Sequence, residues 1–366
     1  MASTRSGVVY AALLSLAALD AAGYGMLAPI VPEIAERTET GPGVAGALVA
    51  CFALGQLFGY PFAGRLAQRH AARSTLLVSL VLLLAGDLAF VLGDGLDVWF
   101  PGRIVQGVGA AGLWIGVTFG VLERWPDAAY GRLTGVLAAY SVGAVAGPAL
   151  GAVGGVRGPF LLHMALTTAA FAPLVLLRAE GARPRFGADR SVLKARGFLV
   201  AAAGALLAAL VAGTIDGPLP VHLGERLSQV EIASLYVGVA LVVAAGALVA
   251  GRMRPGFALW SALVLAPVGI GVAGAVSSVP IWILMLCVAG AAFGLSEAGA
   301  MGVLLGEAGP ERIVTAWVVW SQLWAVGYLV GPAAAGLVAE TAGFAALGLV
   351  PLAGSLVLAW ALLQRE

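Results

Sequence analysis

Five ionisable side chains stand inside long apolar stretches of this sequence: Asp20, Asp87, Arg103, Asp216 and Glu297. A charge in hydrocarbon is costly, so each is a candidate for handling a ligand or a proton unless it is paired or reaches water. A carboxyl taken out of water holds its proton more tightly, which suits loading and unloading near neutral pH. Asp20 lies mid-stretch in LDAAGYGMLAPIVPEI and is followed by Pro29 and Pro32. It reads as a counter-ion for a cationic ligand or as a proton carrier. Glu297, in GAAFGLSEAGAMG, has small neighbours and no base beside it, and reads first as a proton-coupling acid. Arg103, in PGRIVQGVGAAG, cannot lose its proton. It is a fixed charge that biases a nearby carboxylate, Asp20 or Asp87. Asp87 and Asp216 stand near the ends of their stretches, where both can reach water; Asp216 heads IDGPLP, a second proline-broken segment.

Other chemistry is sparse. His163, in PFLLHMAL, is alone in an apolar stretch and reads as a core histidine. No pair of His70, His163 and His222 has metal-ligand spacing, so no metal is expected, and no other cofactor. Trp317, Trp320, Trp324 and Tyr328 follow at intervals of 3, 4 and 4, one helical stripe able to line a cavity for a cation or an aromatic molecule. The expected substrate contacts are Asp20, Tyr24, Trp114, Tyr140, Asp216, Glu297, Trp320, Gln322, Trp324 and Tyr328, with Asp20, Glu297 and Arg103 coupling protons. Cys51 and Cys287 read as packing residues. No nucleophile–base pair appears near either face, which argues against an enzyme. A net charge of +1 gives no bulk attraction to nucleic acid.

The elements that position these residues follow from composition. Of 366 residues, 61% are hydrophobic and 11% charged, against about 25% charged in a soluble domain. With mean hydropathy +0.99, the chain reads as an all-α, polytopic membrane protein. Twelve stretches are apolar enough to span: 8–32, 43–64, 74–93, 97–123, 132–154, 158–178, 196–220, 229–250, 256–276, 279–305, 313–338 and 342–363. The first resembles a signal peptide in charge and length, but its apolar run continues past Asp20, so it reads as an uncleaved span. With both termini in the cytoplasm, the inner loops hold Arg5, Arg65, Arg69, Arg73, Arg124, Arg132, Arg178, Arg183, Arg185, Arg190, Lys194, Arg196, Arg252, Arg254, Arg312 and Arg365. The outer loops hold only Arg37, Arg157 and Arg226, and such an imbalance fixes orientation. There is no Asn, and one Lys stands beside 19 Arg, as a GC-rich bacterial genome would encode. The expected location is a bacterial inner membrane.

The halves echo each other. GAVAGPALG (Gly143–Gly151) in span 5 recurs as GYLVGPAAAG (Gly327–Gly336) in span 11, with Pro148 and Pro332 184 positions apart. Glu123 and Pro126 recur at the same interval as Glu307 and Pro310. The layout is a six-plus-six duplication: bundles 1–178 and 196–366, joined by a cytoplasmic linker, 179–195. Parallel repeats of this kind belong to secondary transporters that bind at the midplane. The kinked, glycine-rich spans 5 and 11 are expected at an interface between halves, as a gate. The expected gating set is Pro29, Pro32, Gly64, Arg65, Arg69, Gly143, Gly147, Pro148, Gly331 and Pro332.

These residues also resemble the major facilitator superfamily across essentially the whole chain. GYPFAGRLAQRHAAR (Gly59–Arg73) resembles its loop signature, PGRIVQGVGAAG its span 4 signature, and GAVAGPALGA the Gly-Pro signature of proton-coupled antiporters. Within that group, the likeness is to vesicular amine transporters and bacterial multidrug exporters. Asp20 with Pro29 and Pro32, Asp216 with Leu219 and Pro220, Glu297 in FGLSEAGAM, and Gly327, Tyr328, Gly331 and Pro332 carry it. The resemblance implies that Asp20 contacts a substrate amine and that Glu297 joins proton coupling. Three departures stand out: Gln68 replaces the loop-signature Asp, Ser321 and Gln322 stand where the vesicular relatives place an acid, and their long first loop is absent. A vesicular amine is therefore not implied as substrate. The expectation is proton-driven export of a small cationic or amphipathic molecule by a protein that can work as a monomer in the bilayer. The alternative is a proton symporter or uniporter for a sugar or other neutral metabolite.

Overall fold

Pro29 and Pro32 end the first helix. α1 (Ala2–Gly25) stops four residues short of Pro29, which lies in a 3-10 turn, Ala28–Ile30. A new helix, α2 (Val31–Arg37), takes Pro32 into its first turn, where a missing N–H leaves no helical bond unmade. The computed structural model describes residues 2–175, 177, 197–308 and 313–364; its regular elements are helices, with no strand among the described residues. Ten of these helices are long and apolar enough to cross a bilayer. The expected linker, 179–195, lies outside the described residues.

α3 runs from Pro42 to Leu92. As one straight helix its 51 residues would reach about 77 Å, more than twice the thickness of a bilayer core. The helix breaks at Ala71 (φ 70°, ψ 165°). There the Ala72 N–H donates to Glu123 Oε1 of α4 (Leu96–Arg124) over 3.1 Å, which satisfies a donor that the break leaves without a helical partner. The stretch expected as a loop between spans 2 and 3 is thus helical on both sides of one residue. Gly64 is buried within it, and Arg65 and Arg69 are exposed on its surface.

α5 (Ala129–Gly151), α6 (Arg157–Ala169) and α7 (Phe171–Leu174) complete the first half; span 6 is shorter as described than the expected 158–178. In the second half, α8 (Phe198–Asp216) ends at Gly217 and Pro218, and α9 (Leu219–Gly224) follows. α10 (Gln229–Ala250) opens on a reciprocal cap between Ser228 and Glu231. α11 (Pro255–Ala275) starts on its proline, and α12 (Val279–Ala308), α13 (Ile313–Ala342) and α14 (Leu349–Leu363) close the chain.

The chain divides into two compact units, Met1–Ile30 with Cys51–Phe186, and Val31–Ala50 with Gly187–Glu366. In the first, α5 lies on α1 backbone to backbone. A Cβ on Gly143 would overlap the Ala18 carbonyl, one on Gly147 would come within 2.8 Å of the Ala22 carbonyl, and one on Gly151 would meet Met26 and Pro29. In the second, α13 lies on α8 in the same way. Gly327 faces Ala209, a Cβ on Gly331 would come within 3.0 Å of the Ala209 carbonyl, and the Pro332 ring rests on Gly213. The first and fifth spans of each half therefore pair through small residues, as the duplication requires. These glycine faces of spans 5 and 11 are thus occupied inside a unit, by α1 and by α8. Gly46, near the start of α3, lies against the Pro332 backbone, and Pro32 of α2 lies against Gly224 of α9, so residues 31–50 pack with the second unit.

Candidate functional site

In the first unit, four polar side chains from three helices form one buried chain. Arg103 of α4 donates from Nη1 to Gln106 Oε1 over 2.8 Å. Gln106 Nε2 donates to Asp87 Oδ1 of α3 over 2.7 Å. Asp87 Oδ2 lies 2.7 Å from His163 Nδ1 of α6. His163 Nε2 then faces the Leu19 carbonyl of α1 at 3.4 Å, next to Asp20, with which the ring also interacts electrostatically. Asp87 is 0% exposed, Arg103 1%, His163 1% and Asp20 8%. Buried polar groups in such a row stabilise one another through these bonds, although the Arg103 Nε is buried without a hydrogen bond among the described residues.

One expectation is corrected here. Asp87 does not reach water; it is buried among α3, α4 and α6, because Gln106 and His163 supply the hydrogen bonds that water would otherwise give. His163 is a core histidine, as expected, and its partner is Asp87. The expected approach of Arg103 to a carboxylate is made through Gln106, not by direct contact. Gln106 is not among the expected site residues, although an amide three residues after an arginine shares its helical face. The Arg103 guanidinium also lies 4.6 Å from the Phe52 ring centre, and Phe52 meets Tyr24 at 5.9 Å. Trp114 and Tyr140 pack edge to face at 5.4 Å. Asp20 itself makes no hydrogen bond or salt bridge among the described residues.

In the second unit, Tyr328 of α13 donates to Asp216 Oδ2 at the end of α8 over 3.1 Å and stacks on Trp324 at 4.9 Å. Tyr236 of α10 donates to the neighbouring Ile215 carbonyl. Asp216 is half-buried in this setting, so its position near a helix end leaves it only partly open. Trp320 is buried and Gln322 half-buried; the Trp317 side chain lies outside those described. Glu297 of α12 is half-buried and makes no hydrogen bond or salt bridge among the described residues. Its neighbours locate it: Ser296 donates to the Gly204 carbonyl of α8 over 2.8 Å, and Gly294 packs on Val243 of α10. One residue on from Ser296 turns the helix by about 100°, which aims Glu297 between α8 and α10. The structure thus joins Asp216 with Tyr328 and Trp324, and leaves Glu297 apart from them.

Residues 13–316 match the Major Facilitator Superfamily. The chain belongs to the Major Facilitator Superfamily, whose members are membrane transporters. Two curated bacterial proteins are similar to part of this superfamily chain. Multidrug resistance protein 2 of Bacillus subtilis (strain 168) is 30% identical over 47% of this chain and 44% of its own length. Tetracycline resistance protein, class G, of Vibrio anguillarum is 32% identical over 46% of this chain and 44% of its own. The chain thus spans less than half the length of these relatives. Among solved structures, a bacterial homologue of the human lysosomal transporter Spinster, inward-facing and unoccupied, superposes with TM-score 0.75 at 16% identity over 99% of this chain and 96% of its own. A D-xylose–proton symporter does so with TM-score 0.76 at 15% identity over 96% of each. Both share the superfamily fold.

Proposed function

We propose that this transporter is a proton-coupled antiporter that exports small cationic or amphipathic molecules by alternating access. The observation that carries the reading is the state of its acids. Asp20 and Glu297, one in each unit, stand in apolar helices without a hydrogen bond or salt bridge among the described residues, whereas Asp87 and Asp216 are held by partners. A structural acid in a membrane segment is normally tied to a partner; an acid kept without one suits a charge that comes and goes, a cation or a proton. Competition of the two for the same carboxyls is enough to couple their flows, with no covalent step. The names of the two similar resistance proteins agree with export of drug-like molecules. Trp324, half-buried and stacked on the buried Tyr328 beside Asp216, supplies a flat face for an organic cation.

The architecture proposed with it has twelve spans in two six-helix bundles, 1–178 and 196–366, joined by a cytoplasmic linker at 179–195. α3 supplies two spans on either side of Ala71, and α6 with α7 begins a sixth. The location proposed is a bacterial inner membrane, with both termini in the cytoplasm and a monomer as the working unit.

The test uses purified protein in liposomes that hold a pH-sensitive dye. A panel of organic cations, then neutral sugars, is added under an imposed proton gradient to wild type, Asp20→Asn and Glu297→Gln. Proton movement with cations in wild type, lost in both variants, is expected. A response to sugars alone, or variants that match wild type, replaces this reading with symport or uniport of a neutral solute.

A further inference from the structure

The buried chain in the first unit contains more proton chemistry than the reading above uses. Each ring nitrogen of His163 faces an acceptor: Nδ1 the Asp87 carboxylate at 2.7 Å, and Nε2 the Leu19 carbonyl at 3.4 Å. A neutral imidazole carries one N–H and can donate to only one of them; the imidazolium donates to both. The seat is close-fitting. A Cβ on Gly23 of α1 would lie 2.5 Å from Nε2, so only glycine at that position lets the ring stand against α1.

The charges around the ring add a second, independent argument. α1 brings Asp20, α3 brings Asp87, and α4 brings Arg103 through Gln106. α5, the remaining long helix beside α6, carries one charged residue, Arg132, at its opposite end, over the rings of Tyr10 and Trp125. Arg103 balances one of the two carboxylates and cannot give up its proton. One further positive charge makes the cluster neutral, and uncompensated charge in such a place is costly. That charge is a proton, on Asp20 or on His163, or a cation at Asp20; of the two proton positions, only His163 gives both ring nitrogens a hydrogen to donate.

We propose that His163 holds the exchanged proton of the first unit: the ring is an imidazolium while the cation position at Asp20 is empty, and it releases its second proton when a cation arrives there. Asp20 then stays ionised throughout, so in this unit cation and proton compete through the charge of the cluster and not for one carboxyl, and Asp87 is a positioning residue that fixes the ring. One proton leaves for each monovalent cation bound, so the buried charge is unchanged. The proposal rests on the antiport reading and identifies the atoms that hold its proton on this side.

Two measurements decide it. In the liposome assay, His163→Gln is expected to lose cation-driven proton movement down to the level of empty liposomes. It keeps exchange of labelled for unlabelled tetraphenylphosphonium at equal pH, because Asp20 still binds the cation. A His163→Gln protein that moves protons as wild type does overturns the proposal. The second measurement covers a variant that does not fold. His70 is exposed and His222 packs on Phe344 and Trp282, so His70→Gln with His222→Gln leaves His163 as the one histidine of the three. Nitrogen-15 spectra of this protein are recorded with and without saturating tetraphenylphosphonium. Conversion from imidazolium to neutral imidazole supports the proposal, and an unchanged ring state overturns it. A wild type that moves no protons for any cation sinks the antiport reading itself. A wild type that moves them, with a ring that does not change, sinks only the role of His163.

Discussion

Tyr328 and Asp216 meet across 3.1 Å, from helices whose sequence positions are 112 residues apart, and the phenol donates while its ring stacks on Trp324. The hydroxyl and the ring can be separated by mutation. Tyr328→Phe keeps the stack and loses the donor to a carboxylate, so it is expected to destabilise the folded protein by about 1–2 kcal/mol. Tyr328→Ala also loses the ring and leaves a void, and falls further, by about 3 kcal/mol or more. Thermal unfolding in detergent is expected to rank wild type above Tyr328→Phe, and Tyr328→Phe above Tyr328→Ala. A double-mutant cycle with Asp216→Asn then isolates the coupling. Additive effects would show that the hydrogen bond contributes nothing.

The small-residue contacts make a sharper claim. A Cβ on Gly143 would overlap the Ala18 carbonyl, which belongs to helix backbone and cannot turn aside as a side chain can. Gly143→Val therefore has to separate α5 from α1, and a loss of about 2 kcal/mol or more is expected, with a sharp drop in folded yield. Gly238, inside α10, has nothing within 4 Å of its virtual Cβ. Gly238→Ala is expected to be neutral or to stabilise by up to about 1 kcal/mol through helix propensity. Size-exclusion profiles after heating compare the two variants directly. Equal behaviour would mean that the glycines of span 5 are not packing residues.

Which parts of this architecture a reader of residues alone can reach follows from the range of each interaction. Helix positions were legible because apolar runs are local, but their ends were not: the stretches 8–32 and 196–220 end as helices at Gly25 and Asp216, ahead of the prolines that follow. The duplication was legible because Gly147, Pro148, Gly331 and Pro332 repeat in register. The partners of those glycines were not, since nothing in the spacing of Gly143 and Gly147 says whether another unit or α1 covers them. The buried chain was illegible for the same reason. Asp87 and His163 are 76 residues apart, and each alone reads as ordinary, a helix-end acid and a core histidine. Only Arg103 and Gln106 are local to each other, and Gln106 gives a weak signal in sequence because an uncharged amide costs less to bury than a charge does.

Glu297 allows a prediction in which stability and activity move apart. It has no hydrogen-bonding or ion-pairing partner among the described residues, so its carboxyl contributes little to holding α12 in place. Glu297→Gln removes an ionisable group from apolar surroundings and keeps its shape. The variant is expected to unfold at the same temperature as wild type or higher, while cation-driven proton movement is lost. A marked fall in stability would reveal a structural partner and turn the acid into a packing element.

Gly23 provides the most local probe of the His163 arrangement, because the substitution alters the seat without replacing any titratable group. The added methyl of Gly23→Ala would lie 2.5 Å from Nε2, and the ring must then move away from α1. Moving it stretches the contact with the Leu19 carbonyl and tilts Nδ1 away from Asp87 Oδ2, which now stand at 3.4 Å and 2.7 Å. With that geometry lost, the second proton loses its acceptor. The variant is expected to fold, to exchange labelled tetraphenylphosphonium, and to fail at proton movement, as His163→Gln does. Gly7→Ala, on the same helix with nothing within 4 Å of its virtual Cβ, is the matched control and is expected to behave as wild type in both assays. If Gly23→Ala couples protons normally, the ring does not depend on its seat against α1, and the donor geometry described for Nε2 has no role in transport.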